Sequence, residues 1–139
     1  MKYFTKEWYE KVQNNDDKSI KTTEKTITNY QKYEKKAFKK NKPNFLNDFV
    51  FHDAKIISSQ KNGDDFIIKL DNSNSYTTIN KITFKNCRIL KQERDLKGSW
   101  WLYEEIYCYD QDYEICILLS NDESEVFEFA VLITDINYN

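Results

Sequence analysis

The sequence predicts an α+β fold in which N-terminal helices pack on a six-stranded, mainly antiparallel, curved sheet of the half-barrel or sandwich type. Apolar residues recur at helical spacing in the first part of the chain. After Phe45 the spacing changes to the alternation that is typical of strands. Short polar connections separate most of the predicted strands, which favours antiparallel pairing. The 139 residues are expected to form one domain, with a helical part at 1–45 and the sheet at 46–139.

Two helices are expected in the N-terminal part. Thr5 is a suitable N-cap for a short helix, because its hydroxyl can accept a hydrogen bond from a free N–H of the first turn. Asp16 or Asp17 can cap a longer helix in the same way. That helix must end before Pro43, since the residue ahead of a proline avoids the helical region. Its apolar side comprises Ile20, Ile27, Tyr30, Ala37 and Phe38, and its other face is rich in lysine.

Six strands are expected in the remainder of the chain. They are predicted at 54–61, 64–70, 77–84, 100–109, 113–119 and 126–133. Asn62-Gly63 is a strong hairpin signal, because both residues tolerate a positive φ. A β-bulge is predicted around Asn86, because Ile89 is out of phase with Phe84.

Charge is strongly segregated along the chain, although the net charge is only -2. Residues 1–45 carry a net charge of +6, whereas residues 100–139 contain ten acids and no lysine or arginine. This distribution predicts one of two arrangements. Either the lysine-rich helix docks on the acidic strands, or the protein binds a charged partner.

Several functional classes are excluded by composition. No segment approaches the roughly 18 apolar residues that a membrane span requires, and the N-terminus lacks the apolar run of a signal peptide, so we expect a cytoplasmic protein that does not bind membranes. The two glycines are too few for a nucleotide-binding P-loop or GxGxxG motif, and no cofactor is expected. The three cysteines form no CxxC pair and are expected to be buried thiols.

His52 and Asp53 are the weak candidates for catalysis. A histidine beside an aspartate could be a general base with its orienting group in a hydrolase, or half of a metal site. His52 is the only histidine, however, and no nucleophile motif accompanies the pair. We therefore predict a structural role at the start of the first strand, with no catalytic residue and no metal site.

The segment GSWWLYEEIYCY, residues 98–109, is rich in aromatic side chains and contains two adjacent carboxylates. Adjacent residues of a strand point to opposite faces, so Glu104 and Glu105 cannot act together as an acid–base pair. Strict alternation puts one set of candidate binding residues on a single face. These are Trp101, Tyr103, Glu105 and Tyr107.

That candidate face has two interpretations. If it is open, it predicts a small-molecule or carbohydrate site. If the N-terminal helices cover it, Glu105 is expected to contact a helix lysine such as Lys32 or Lys36. Nucleic acid is not expected there, because single-strand binders combine stacking rings with a basic groove and this segment has no basic residue.

Four segments carry a resemblance to a known family. MKYFTKEWYEKV, FHDAKIIS, INKITFKN and GSWWLYEEIY together resemble a bacterial domain-of-unknown-function family, number 4085. That family has no assigned activity, so the resemblance implies no catalytic residue. The FHDA segment is also similar, more loosely, to immunity proteins of bacterial toxin systems, which are small cytoplasmic proteins that bind and neutralise a toxin.

These observations favour a non-enzymatic protein-binding module, of which an immunity-type binder of a basic toxin is one form. The alternatives are a small-molecule or carbohydrate binding module at strand 100–109, and a hydrolase centred on His52 and Asp53. A homodimer formed through a strand edge also remains open.

Overall fold

A computed structural model describes residues 1–139 and contains the two expected helices. Helix α1 spans Lys6–Lys11 and helix α2 spans Asp17–Ala37, with a 3-10 turn at Val12–Asn14 between them. Thr5 Oγ1 accepts a hydrogen bond from the Trp8 N–H at 3.0 Å, and Asp16 Oδ1 accepts one from the Ser19 N–H at 2.7 Å. Both predicted caps are therefore confirmed. A second 3-10 turn, Asn44–Asp48, follows Pro43.

The sheet has eight antiparallel strands in the order β4-β7-β6-β5-β1-β2-β3-β8. A hairpin joins the first two strands at the predicted place, but its two-residue loop is Gly63-Asp64. The predicted loop Asn62-Gly63 is wrong by one residue, because Asn62 ends the first strand and pairs with Asp65, and of the two predicted loop residues only Gly63 has a positive φ, of 62°. The strands are β1 Lys55–Asn62, β2 Asp65–Asp71, β3 Lys81–Lys85, β4 Arg88–Gln92, β5 Trp100–Tyr109, β6 Asp112–Ser120, β7 Val126–Ile133 and β8 Asp135–Tyr138.

The α+β class and the antiparallel pairing are thus confirmed, but the predicted number of six strands is wrong. Every residue of β4 is exposed, so this strand has no apolar alternation to detect. The short β8 follows β7 after a one-residue break at Thr134. A turn at Asn86, which has φ 48°, separates β3 from β4 close to the predicted bulge.

The two ends of the strand order lie near each other, because the sheet is strongly curved. β4 continues from β3 and β8 continues from β7, and the Thr134 N–H donates to the Lys85 carbonyl at 3.0 Å between them. Across the concave side, the rings of Phe66 on β2 and Phe129 on β7 lie 5.4 Å apart. The main core fills this concave side.

The N-terminal part covers the convex side of β5, β6 and β7. Leu102, Leu118 and Val126 pack against Met1 and Tyr9 there. Because β6 is therefore covered on both faces, its residues from Ile115 to Leu119 are all buried. An apolar run of this kind is expected for a central strand.

The lysine-rich face of α2 does not dock on the acidic strands, so that predicted arrangement is wrong. No lysine of residues 1–45 forms an ion pair. Acids of residues 100–139 pair instead with Lys55, Lys91, Arg94 and the amino group of Met1. Aromatic packing also holds the N-terminal part, since Phe4 and Trp8 both pack against Tyr103 of β5. Each close ring pair of this kind contributes about 1 kcal/mol.

Candidate functional site

A β-bulge at the start of β5 decides which side chains share a face. The register of β5 against β6 shifts between Trp101 and Tyr103. Trp101 therefore lies in the main core with Ile106, whereas Leu102 and Tyr103 pack on the convex side. The predicted common face is therefore wrong for Trp101, because the extra residue of the bulge separates it from the later positions. Tyr103, Glu105 and Tyr107 keep the predicted alternation and lie together on the convex side.

The candidate binding residues of β5 consequently do not line one cleft. Trp101 and Glu105 are both 0% exposed and Tyr107 is 7% exposed. Only Tyr103 is partly exposed and borders an open cavity. Trp101 belongs to the concave core, and Tyr107 packs against Cys116 and Ala130 on the convex side.

Glu105 is enclosed by the first residues of the chain. Its carboxylate accepts hydrogen bonds from the N–H groups of Lys2 at 2.8 Å, Tyr3 at 3.1 Å and Phe4 at 2.8 Å. The Tyr107 hydroxyl also donates to it, and burial together with this carboxylate raises the pKa of that hydroxyl. The predicted contact with Lys32 or Lys36 is therefore wrong, because backbone donors reach the carboxylate instead.

Helix α2 takes the place of a neighbouring strand beside most of β5. The pairing between β1 and β5 is confined to Lys55 and Trp100. Beyond that point the Ile106 N–H donates to the Tyr30 hydroxyl at 2.8 Å. The Leu102 carbonyl also has a side-chain partner, which is His52 Nδ1. Side chains thus satisfy backbone groups that a strand would otherwise satisfy, and they leave a gap between α2 and β5.

A cleft of about 450 Å³ occupies this gap. Its walls include the rings of Phe4, Tyr30 and Tyr103 and the carboxylates of Glu34 and Glu104. Phe4 stacks on Tyr103 with ring centroids 4.7 Å apart and meets Tyr30 edge-on at 5.4 Å. The cleft therefore combines an aromatic wall with two acids from different elements.

Glu104 is the most perturbed acid of the cleft. Its Oε2 accepts a hydrogen bond from Trp101 Nε1 at 3.0 Å, and its Oε1 accepts none from the protein. Burial raises the pKa of this half-buried carboxyl to about 7, and the nearby Glu34 carboxylate raises it further, while the indole hydrogen bond opposes the shift. A cation that reaches the free oxygen would stabilise the charged form of this carboxylate.

A second cleft of about 350 Å³ adjoins the first and shares His52, Leu102 and Tyr103 with it. It extends towards α1 and is bordered by Glu24 and Asp53. The two clefts together are called the α2 groove. Its four carboxylates belong to Glu24, Glu34, Asp53 and Glu104, and no lysine or arginine borders it.

His52 and Asp53 lie at the middle of the groove, with their side chains 50% and 57% exposed. His52 Nε2 is 3.6 Å from Asp53 Oδ1, and its ring packs against Tyr103 at 5.3 Å. No group of three or more histidine, cysteine, aspartate or glutamate side chains is arranged to hold a metal. The contact of His52 with the Leu102 carbonyl fixes the bulged start of β5, which is a structural contribution.

The three cysteines are free thiols, but only Cys116 is buried. The expectation of buried thiols is therefore wrong for Cys87, which is partly exposed, and for Cys108, which is exposed. Burial raises the pKa of Cys87 to about 11. It also raises the pKa of Cys108 and, together with the Glu114 carboxylate, that of Cys116. The nucleophilic thiolate is therefore disfavoured at all three positions.

Sequence reasoning missed Glu34 and Glu104 as partners in one cleft. One signal was present, because α2 contains only three acids among six lysines. Asp17 lies in the first turn, where a carboxylate stabilises the helix end. The remaining two, Glu24 and Glu34, are the ones that border the groove.

Comparison with protein families identifies the chain. The model of the family described as Protein of unknown function (DUF4085) matches residues 4–130. The chain belongs to this family. The DUF4085 match confirms the resemblance of the four sequence segments and includes every residue that borders the α2 groove. No curated protein and no solved structure matches the chain. Neither helix combines the length and the apolar character needed to cross a membrane.

Proposed function

We propose that this DUF4085 protein is a non-enzymatic, cytoplasmic binding protein whose α2 groove receives a basic segment of a protein partner. The observation that supports this function is the sorting of charge on α2. Its lysines face solvent, whereas Glu24 and Glu34 border the groove opposite Asp53 and Glu104. The groove thus presents one sign of charge and contains no internal cation to neutralise it.

Electrostatic attraction supplies the physical basis of the proposal. Acids that line a cleft with apolar walls focus the electric field, which raises the local concentration of cations and speeds their association. The interaction is also strengthened where Glu104 is shielded from water, because the effective dielectric constant is lower there. The exposed lysines of α2 repel any other basic surface of the partner. This repulsion favours the orientation in which the partner's basic segment lies in the groove.

The absence of catalysis is part of the proposal. His52 Nδ1 is engaged by a backbone carbonyl, and no thiol has a lowered pKa. One form of this function is that of an immunity protein, whose partner is a basic toxin. Enzymatic activity lost on replacing His52 by alanine would contradict the non-enzymatic proposal.

Fluorescence anisotropy tests the proposed function. A labelled peptide of alternating lysine and serine should bind the protein, and its glutamate counterpart should not. Raising the salt concentration should weaken binding, since the attraction is between charges at a partly open surface. The double variant Glu34→Gln, Glu104→Gln should lose most of the affinity.

A matched control separates the groove from the net charge. Asp110→Asn, Glu123→Gln removes the same two charges from exposed turns outside the groove. This variant should bind the basic peptide as the wild type does. Equal losses in both double variants, or no binding by the wild type, would overturn the proposed function.

A further inference from the structure

The half of the α2 groove beside Glu104 has the features of a pocket for a single side chain. We infer that this cleft binds one primary ammonium group, the head of a lysine side chain from the partner. The inference rests on the proposed function and assigns the chemistry by which the groove would recognise its partner.

The geometry of Glu104 favours an ammonium over a guanidinium group. Its Oε2 already accepts a hydrogen bond from Trp101 Nε1, so Oε1 is the only oxygen without a protein donor. A guanidinium group binds a carboxylate best through two parallel hydrogen bonds to both oxygens. An ammonium group is compact and needs only one oxygen from each acceptor.

Glu34 supplies the second acceptor from the opposite wall. Its carboxylate comes from α2, whereas that of Glu104 comes from β5. Glu34 forms no ion pair with the protein's own cations. Two separated acceptors suit an ammonium group, whose three donors point in different directions.

The walls of the cleft fit the stem of a lysine. Phe4, Tyr30 and Tyr103 present aromatic surface, along which a chain of methylene groups can lie. The rings also attract a cation directly. The protein uses the same contact elsewhere, because Lys2 Nζ lies 5.2 Å from the Tyr107 ring centroid and Lys55 Nζ lies 5.1 Å from that of Trp100.

The protein's own lysines do not fill the pocket. Lys32 and Lys35 adjoin the lining residues Gln31 and Glu34 in the chain, yet both are exposed and neither lines the cleft. The carboxylate of Glu104 is therefore held in an aromatic cleft without an internal counter-ion. An ammonium group from the partner would supply this counter-ion.

The indole N–H of Trp101 provides a direct reporter of the pocket. We expect Nα-acetyl-lysine amide, added to the full chain, to shift the Trp101 indole resonance in a ¹⁵N–¹H NMR spectrum. The Trp100 indole should not respond, since its ring lies against Lys55 instead. Affinity should exceed that for Nα-acetyl-arginine amide and Nα-acetyl-norleucine amide by about tenfold, equivalent to about 1.4 kcal/mol.

Variants locate the effect at the pocket. Glu104→Gln should abolish the response to the lysine amide, and Glu34→Gln, which keeps the shape of a partly exposed side chain on α2, should weaken it. Glu123→Gln, in an exposed turn, should leave it unchanged. An arginine or norleucine amide that binds as tightly as the lysine amide would overturn the inference. If the lysine amide leaves the Trp101 indole resonance unshifted while the basic peptide still binds, the ammonium pocket is overturned but the proposed function is not. If neither the amide nor the peptide binds, both proposals are overturned.

Discussion

Glu104 and Glu105 are neighbours on β5 with contrasting surroundings. Glu105 is fully buried and accepts hydrogen bonds from three backbone N–H groups and the Tyr107 hydroxyl. Glu104 is half-buried and accepts one hydrogen bond, from Trp101 Nε1. The difference shows how to tell a structural carboxylate from one available to a ligand. The chain itself satisfies the first and leaves the second with a free oxygen facing a cleft.

Replacing Glu105 should have the largest effect of this comparison. Glu105→Ala removes the acceptor of four hydrogen bonds, so we expect it to lower the free energy of unfolding by about 4 kcal/mol. Denaturant unfolding measures this loss, and hydrogen exchange at the amides of Lys2, Tyr3 and Phe4 should accelerate in the variant. A loss below about 0.5 kcal/mol, within the range of an ordinary surface substitution, would show that the N-terminal segment does not depend on Glu105.

Glu104 should instead make stability depend on pH. Its pKa of about 7 in the folded protein exceeds the ordinary value of 4.5. Between these values the folded protein holds a proton that the unfolded chain has released, so stability falls as the pH rises from 4.5 to 7. Through Glu104 alone, the free energy of unfolding should fall by about 3 kcal/mol over this pH range.

Glu104→Gln should remove this part of the pH dependence. The groups that face Glu104 are Glu34 and Tyr30 from α2, Tyr138 from β8 and His52 from the segment before β1. They remain in the variant, so the difference between the two unfolding curves isolates Glu104. Wild-type and variant curves that run parallel across this pH range would contradict the assigned shift.

Tyr30→Phe should have a smaller effect, because it removes one acceptor at the open edge of β5. The Ile106 N–H would lose its partner in a buried position, at a cost of about 1.5 kcal/mol. Tyr33→Phe is the matched control on the same helix, since the Tyr33 hydroxyl forms no hydrogen bond with the protein. Equal stability losses in the two variants would show that the Ile106 contact contributes nothing.

The sequence predicted those elements whose conformation is determined by residues close to one another in the chain. The caps at Thr5 and Asp16 and the hairpin that turns at Gly63 each follow from backbone geometry within a few residues. β4 escaped prediction because an exposed strand has no apolar alternation. An element was therefore predicted where neighbouring residues carry its signal, and it was missed where they do not.

The candidate site depends on contacts between distant parts of the chain. The bulge at Leu102 changes which side chains share a face, and nothing near it in the sequence signals an extra residue. Glu105 meets the N–H groups of residues 2–4, which lie about a hundred positions away. Backbone donors are identical in every residue except proline, so no side-chain pattern could have predicted them. The acids of α2 were the only local indication of the groove.

The availability of the Glu104 carboxylate to a ligand ammonium group can be measured by ¹³C NMR, in a titration of the Glu104 carboxyl carbon with and without Nα-acetyl-lysine amide. Without the amide, the midpoint should lie near pH 7. At saturation it should fall by about one pH unit or more, because a cation close to the carboxylate favours its charged form. The same titration in the Glu34→Gln variant should begin at a lower pH, since one neighbouring negative charge is gone. A midpoint near 4.5 that the lysine amide does not move would show that Glu104 is an ordinary exposed carboxylate and not part of an ammonium pocket.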